Sequence, residues 1–411
     1  MVQRGLDNAH TQAEPSRPVQ VDPFVNEAQS TLFELRSATA AVLAACGGIE
    51  RAVDVSSRLG LDSSLAWKIW QVGRDHGGLP SPAHISGRSG FERFLLAAEN
   101  LGIATELVQR ARAAFGGFER LMRRHAGDRA TADRLLGHIS AEGKRRLDTA
   151  IRRDGFRANS YLLGIQAAST YQLDALVVGD DAFMPEVYRV RGHFGLQRNR
   201  ADAPWIISRT TLVHETGPSA NLKRGPIDCS SGGLGNLLLT QFCSDPNLPV
   251  VRRVLPDSTV EDEIPEGPVG QQAAIDVVLG EHFSGMPRRD VQFDALVMRV
   301  LTPCERLVYD ILLPEGQSPK DIELRVHSTV QTDLPYLRGE MYASIPVTEK
   351  FERLGPALKA PEATEVPRQG AMIKWLLSKL PPRAANSVLW RTHMRYPPVP
   401  SVLAARYPIA P

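Results

Sequence analysis

The stretch that most constrains this chain is residues 50–72, ERAVDVSSRLGLDSSLAWKIWQV. Apolar residues recur there at helical spacing on both sides of Gly60, which predicts two short helices joined by a tight turn. Val55, Ser56, Leu59, Leu61, Ala66 and Ile69 stand at fixed offsets around that glycine. The turn needs a left-handed residue, a conformation glycine adopts without steric cost. Ser56 is small enough to let the two helices approach, and Asp62 or Ser63 can cap the second. That second helix is expected to run unbroken from Ser63 to Arg74, with Leu65, Ala66, Ile69 and Val72 inward and Ser64, Lys68 and Gln71 outward. On the first, Ile49, Ala52, Val53, Ser56 and Leu59 are expected to line one face. A preceding helix from Asn26 carries Leu32, Leu35, Ala38, Thr39 and Val42 three and four apart and stops at Gly47-Gly48. Together these make a compact three-helix unit over residues 24–80.

In order and spacing, Val55-Ser56, Leu59-Gly60-Leu61 and Ala66 to Ile69 resemble the helix-turn-helix N-terminal DNA-binding domain of bacterial transcriptional regulators. The resemblance implies a sequence-specific binder of duplex DNA with a separate domain that senses a small-molecule effector or forms a homodimer. It brings no cofactor and no metal. In such a module the second helix enters the ~12 Å major groove while the first braces it across the backbone. The residues that would then meet DNA are Ser63, Ser64, Trp67 and Lys68, with Gln71 and Arg74 one and two turns on. Residues 24–78 hold five Lys or Arg against six Asp or Glu. Phosphate contacts carry much of the affinity for DNA, so a neutral module needs help from elsewhere or from a second copy.

That help is expected from residues 81–158, a basic helical connector. Between residues 88 and 157 there are fifteen Lys or Arg and nine Asp or Glu, an excess of six. Its apolar stripes are Phe91, Phe94, Leu95 and Ala98, then Leu107, Val108, Ala111 and Phe115, continued by Phe118, Leu121 and Met122. Residues 1–23 are polar and aperiodic and read as a disordered tail. Beyond residue 158 a β-rich domain is expected, with strands at 186–191, 205–213, 292–301, 307–313 and 322–330. A helix is expected over 161–175 and another over 371–380, with Ile373, Leu376, Leu377 and Leu380 inward. The Pro-rich last fifteen residues are expected to pack as an extended arm. The fold class is therefore α+β, helical first and β-rich after.

The net charge of +2 is not that of a protein that coats polyanions. No apolar run reaches the ~18 residues of a membrane span, and no secretory signal opens the chain, which predicts a cytoplasmic protein. Cys46, Cys229, Cys243 and Cys304 are scattered without metal-ligand spacing and read as separate thiols. Residues 228–235, DCSSGGLG, could form an anion nest but lack the order of a phosphate loop. An enzyme in the C-terminal half is the alternative, with Cys229 and His214 as a nucleophile and base, or His193, His214, His282 and His327 convergent. Trp205, Trp375 and Trp390 are expected in the core rather than in a ligand pocket. A structural or interaction protein is the third possibility.

Overall fold

The computed structural model of the protein describes residues 23–74, 84–137, 141–179, 184–203, 205–211, 223–227, 237–256, 259–265, 267–285, 293–328, 344–384 and 386–409. The chain divides into two compact units, Met1–Leu147 and Asp148–Pro411. The first is helical and the second rich in β-sheet, so the protein is α+β.

The helical unit contains α1 (Pro23–Cys46), α2 (Ala52–Leu59), α3 (Ser63–Gly73), α4 (Arg88–Asn100), α5 (Thr105–His125) and α6 (Arg129–Gly137); α7 (Ala141–Leu163) spans the boundary. One core joins Leu32, Leu35 and Val42 of α1, Val55 of α2, Ile69 of α3, Phe94 and Leu95 of α4, and Val108 and Phe115 of α5. The expected division at residue 80 falls inside this core, because the apolar stripes of α4 and α5 complete the burial of α1 and α3. Phe91 stacks on Phe115 at 4.4 Å between ring centres. Each such fully buried side chain contributes roughly 1.5–3 kcal/mol relative to exposure.

Gly60 is left-handed, with φ 61° and ψ 28°. Ser56 Oγ donates to the Leu61 carbonyl at 2.6 Å and clasps the turn. Asp62 caps α3 by accepting from the Leu65 amide at 2.9 Å. The inward stripe of α3 is as expected, with Leu65, Ala66, Ile69 and Val72 all buried. On α2 the buried residues are Val55 and Leu59, while Val53 is 60% exposed. Positions two apart on a helix point to opposite sides, so Val55 and Val53 cannot share a face. A Cβ on Gly60 would meet nothing within 4 Å, so its requirement is purely one of backbone. We expect Gly60→Val to cost roughly 1–3 kcal/mol, from forcing a β-branched residue to positive φ. Thermal melts followed by helical circular dichroism would check this, and an unchanged melting temperature would refute it.

The β unit holds β1 (Ile165–Val177), β2 (Glu186–Arg198), β3 (Trp205–Thr211), β4 (Lys223–Pro226), β5 (Val251–Val254), β6 (Thr259–Ile264) and β7 (Ile275–Ser284). It continues with β8 (Phe293–Val300), β9 (Cys304–Pro314), β10 (Glu323–His327), β11 (Ser344–Ile345), β12 (Glu352–Pro356), α8 (Gln369–Lys379), β13 (Ser387–Arg395) and β14 (Ser401–Pro408). A seven-stranded sheet has the order β12-β13-β9-β1-β2-β7-β4. A four-stranded sheet is ordered β11-β10-β14-β8 and a three-stranded one β3-β6-β5.

Two expectations are corrected here. The helix expected over 161–175 is replaced by the end of α7 and by β1, the middle strand of the large sheet. Gly164, at φ 70°, ends the helix, and β1 then pairs antiparallel with β2 and parallel with β9. Pairing on both sides overrides the helical preference of its Ala, Gln and Leu residues. The C-terminal residues do not form an arm: β14 lies between β10 and β8, and Val402, Leu403, Ala404 and Ala405 are buried. Their contiguous small apolar run suits a strand covered on both faces. Cys46, Cys243 and Cys304 are separate buried thiols, and burial pushes the Cys304 thiol up to about 12. Cys229, His214 and residues 228–235 lie outside the described residues.

Candidate nucleic-acid interface

The turn at Gly60 sets the start of α3 at the surface. Ser63, Ser64 and Trp67 are exposed, Trp67 by 43%. Lys68, Gln71 and Arg74 are half-buried, and Arg74 follows the helix as its C-terminal cap, not as its last turn. The guanidinium of Arg74 lies over the Trp70 ring at 4.7 Å, and Trp67 meets the edge of His84 at 4.9 Å. Five of the six lie on α3 and Arg74 caps it, graded from exposed at the start of the helix to partly covered at its end.

Several arginines of the helical unit are engaged by carboxylates. Arg93 of α4 pairs with Asp62 at 3.2 Å. Arg88 pairs with Glu119, Arg110 with Glu34 at 2.9 Å, Arg112 with Glu92 and Glu99, and Arg124 with Glu27 at 2.8 Å. Arg58 donates to the Cys46 carbonyl at 3.0 Å and so braces the end of α1. Arg93, Arg110 and Arg124, counted in the basic excess of residues 88–157, are thus paired with acids from outside that stretch. Sequence counting missed this because it cannot tell which acids of α1 fold against which bases of α5.

The β unit contains a second polar cluster that sequence reasoning missed. On one face of the large sheet, Asp174 accepts from Arg189 Nε at 2.6 Å, from Gln172 at 2.8 Å and from Tyr309 at 2.8 Å. Arg189 also donates to the Val297 carbonyl of β8 at 3.0 Å, which ties the four-stranded sheet to the large one. Burial opposes charge on Arg189, yet Asp174 holds it above the ordinary guanidinium range. Arg191, beside it, is pushed down by burial and by repulsion from Arg189. Glu281 pairs with Arg224, which also reaches Asp262 at 3.5 Å. On the opposite face, Asp310 accepts from Arg391 Nε at 2.7 Å and Nη2 at 2.9 Å, from Tyr171 at 3.0 Å and from Gln369 at 2.7 Å. The signal was present as alternation: Thr170, Gln172 and Asp174 on β1 face Arg189, Arg191 and His193 on β2.

Asp174 and Asp310 each accept on both carboxylate oxygens and so tie neighbouring strands together. His193 is buried against Thr170 at 3.2 Å, and His282 pairs with Glu186 at 2.7 Å. His327 is buried on β10 of the four-stranded sheet, whereas His193 and His282 lie on β2 and β7 of the large one. Trp205 and Trp390 are core residues, and Trp375 packs edge-on against Phe242. Among the described residues no group of three or more His, Cys, Asp or Glu is placed to hold a metal ion. No described helix is long and apolar enough to cross a membrane.

No protein-family profile matches the chain, and no curated protein does. Among solved structures, a crystal structure of a candidate protease from Parabacteroides distasonis matches at 9% identity with a TM-score of 0.25. The match covers 59% of this chain and 40% of that one, so this chain spans well under half the length of that structure. A likeness that loose carries no inference about activity.

Proposed function

We propose that the chain is a DNA-binding transcriptional regulator. In this reading the helical unit places α3 in the major groove, and the β unit senses a small-molecule effector or joins a second copy. The observation that carries the reading is the left-handed Gly60 joining α2 to α3, with Ser63, Ser64 and Trp67 exposed immediately after it. Ser63 and Ser64 are hydroxyl donors and acceptors that suit either base pair, and Trp67 offers an apolar edge to a thymine methyl. Lys68 and Gln71 face the flank of the groove, and Arg74 reaches for phosphate by leaving the Trp70 ring.

With Arg88, Arg93, Arg110, Arg112 and Arg124 in ion pairs, one unit offers few phosphate contacts. Two units on one duplex double both phosphate and base contacts, which supports a homodimer with half-sites about one turn, ~34 Å, apart. Binding to genomic duplex fragments over a salt series is the test, for the wild type and for Lys68→Ala combined with Arg74→Ala. The double variant is expected to bind at least tenfold more weakly at ~100 mM salt, with a salt slope reduced by about two units. No binding at ~50 mM salt, or binding indifferent to both substitutions, would overturn the reading. The exposure of Trp67 supports a second reading, in which α3 anchors on another protein, since buried tryptophans dominate such contacts.

A further inference from the structure

The ion pair between Asp62 and Arg93 stands at the start of α3, and it suggests how this face is restrained. α4 begins directly against α3: a Cβ on Gly90 would come within 3.2 Å of Leu65 Cδ1. This packing sets Arg93, one turn further on, beside Asp62, the residue just before Ser63 and Ser64. Arg93 Nη2 lies 3.2 Å from Asp62 Oδ2, and the two side chains are 59% and 52% exposed. Asp62 has two tasks, since its other carboxylate oxygen accepts from the Leu65 amide as the cap of α3. That amide, and then Arg93 after the opposing effect of desolvation, hold its carboxyl below the usual range.

We propose that this pair is a self-inhibitory contact: Arg93 is a phosphate-binding residue of the α3 face, held by Asp62 until DNA displaces the carboxylate. The proposal rests on α3 being the DNA-facing helix. Its physical basis is that an exposed ion pair contributes little and is screened by salt. A duplex presents one phosphate per ~1.7 Å of axis and competes readily for such a guanidinium. Arginine also forks onto phosphate with two parallel hydrogen bonds. Release leaves Asp62 as an unpaired negative charge facing the phosphates, which opposes binding. Every other arginine of α4 and α5 that pairs across helices does so with a glutamate of α1, α4 or α5; Arg93 alone among those described pairs with the cap of α3.

The cap and the inhibitory charge can be separated. Asn caps a helix about as well as Asp, so Asp62→Asn keeps the Leu65 hydrogen bond and removes the charge. We would measure binding of the full chain to random-sequence duplexes of about 30 base pairs, long enough for two half-sites, across a salt series. Asp62→Asn is expected to raise affinity three- to tenfold with the wild-type salt slope. Arg93→Ala is expected to lower affinity three- to tenfold on every sequence alike and to reduce the slope by about one unit, while Arg93→Lys restores the slope. Arg93→Ala with wild-type affinity and slope, or Asp62→Asn binding no tighter than the wild type, would overturn the proposal while leaving α3 as the DNA-facing helix. A wild type that binds no duplex at ~50 mM salt would overturn both.

Discussion

Asp310→Ala is expected to destabilise the β unit by about 3–5 kcal/mol, because it strands a buried cation. Arg391 is almost wholly buried, with 4% of its side chain exposed, and Asp310 is fully buried. Burial opposes the charge on Arg391, and the hydrogen bonds it donates to Asp310 restore it above the usual guanidinium value. Without the carboxylate, two guanidinium donors, the Tyr171 hydroxyl and the Gln369 amide lose their acceptor together. Gln369 also accepts from the Ala363 amide, so the start of α8 is expected to loosen as well. Hydrogen exchange over β9, β13 and α8 is the measurement of choice, since it reports these elements apart from the helical unit. Asp310→Leu combined with Arg391→Met should recover much of the loss, because an apolar pair carries no desolvation penalty. Slow exchange retained in Asp310→Ala would show that the tie is dispensable.

A second large effect is expected on acidification. Burial, and then repulsion from Arg191, lower the pKa of His193 to about 3. The unfolded chain takes up the same proton near 6.5. Between those values the unfolded state binds more protons, so stability is full above about pH 6.5 and is lost as the pH falls toward 3. The loss is up to about 1.4 kcal/mol per pH unit, or about 2 kcal/mol at pH 5, before carboxylates begin to titrate. His327, whose pKa burial also lowers, adds a contribution of the same sign. Urea unfolding of the β unit at pH 7, 6 and 5 checks this. His193→Gln, which can keep the contact to Thr170 but takes no proton, should flatten the dependence. An equal slope in wild type and variant would rule out His193 as the source.

Both effects lie in places that were poorly legible in the sequence. Residues 165–177 carry an alternating pattern, Thr170, Gln172 and Asp174 against Tyr171, Leu173 and Ala175, but both sets are buried. That alternation has the period of a strand, but it is short and set among helix-favouring Ala, Gln and Leu, so only the pairing with β2 and β9 decides between strand and helix. β8 and β10 lie within the expected ranges 292–301 and 322–330. The same limitation hid the ion pairs of the helical unit. Glu34 and Arg110 are 76 residues apart, and no local pattern announces their contact.

What the sequence determined by itself is local and short-ranged. The glycine at position 60, the capping Asp62, the small Ser56 and the apolar spacing on α1 and α3 each act within a few residues, and each meets its requirement in the structure. The division into a helical part followed by a β-rich part follows from the same local periodicities. What only the tertiary structure decided depends on residues far apart in the chain. It sets β1 at the middle of a seven-stranded sheet, inserts β14 between β10 and β8, merges α4 and α5 into the core of the three-helix unit, and pairs Arg93, Arg110 and Arg124 with acids far away in the chain. Strand order and ion pairing are chosen by which surfaces exclude water together, and the energy of a buried pair exists only once both partners are brought to the same place.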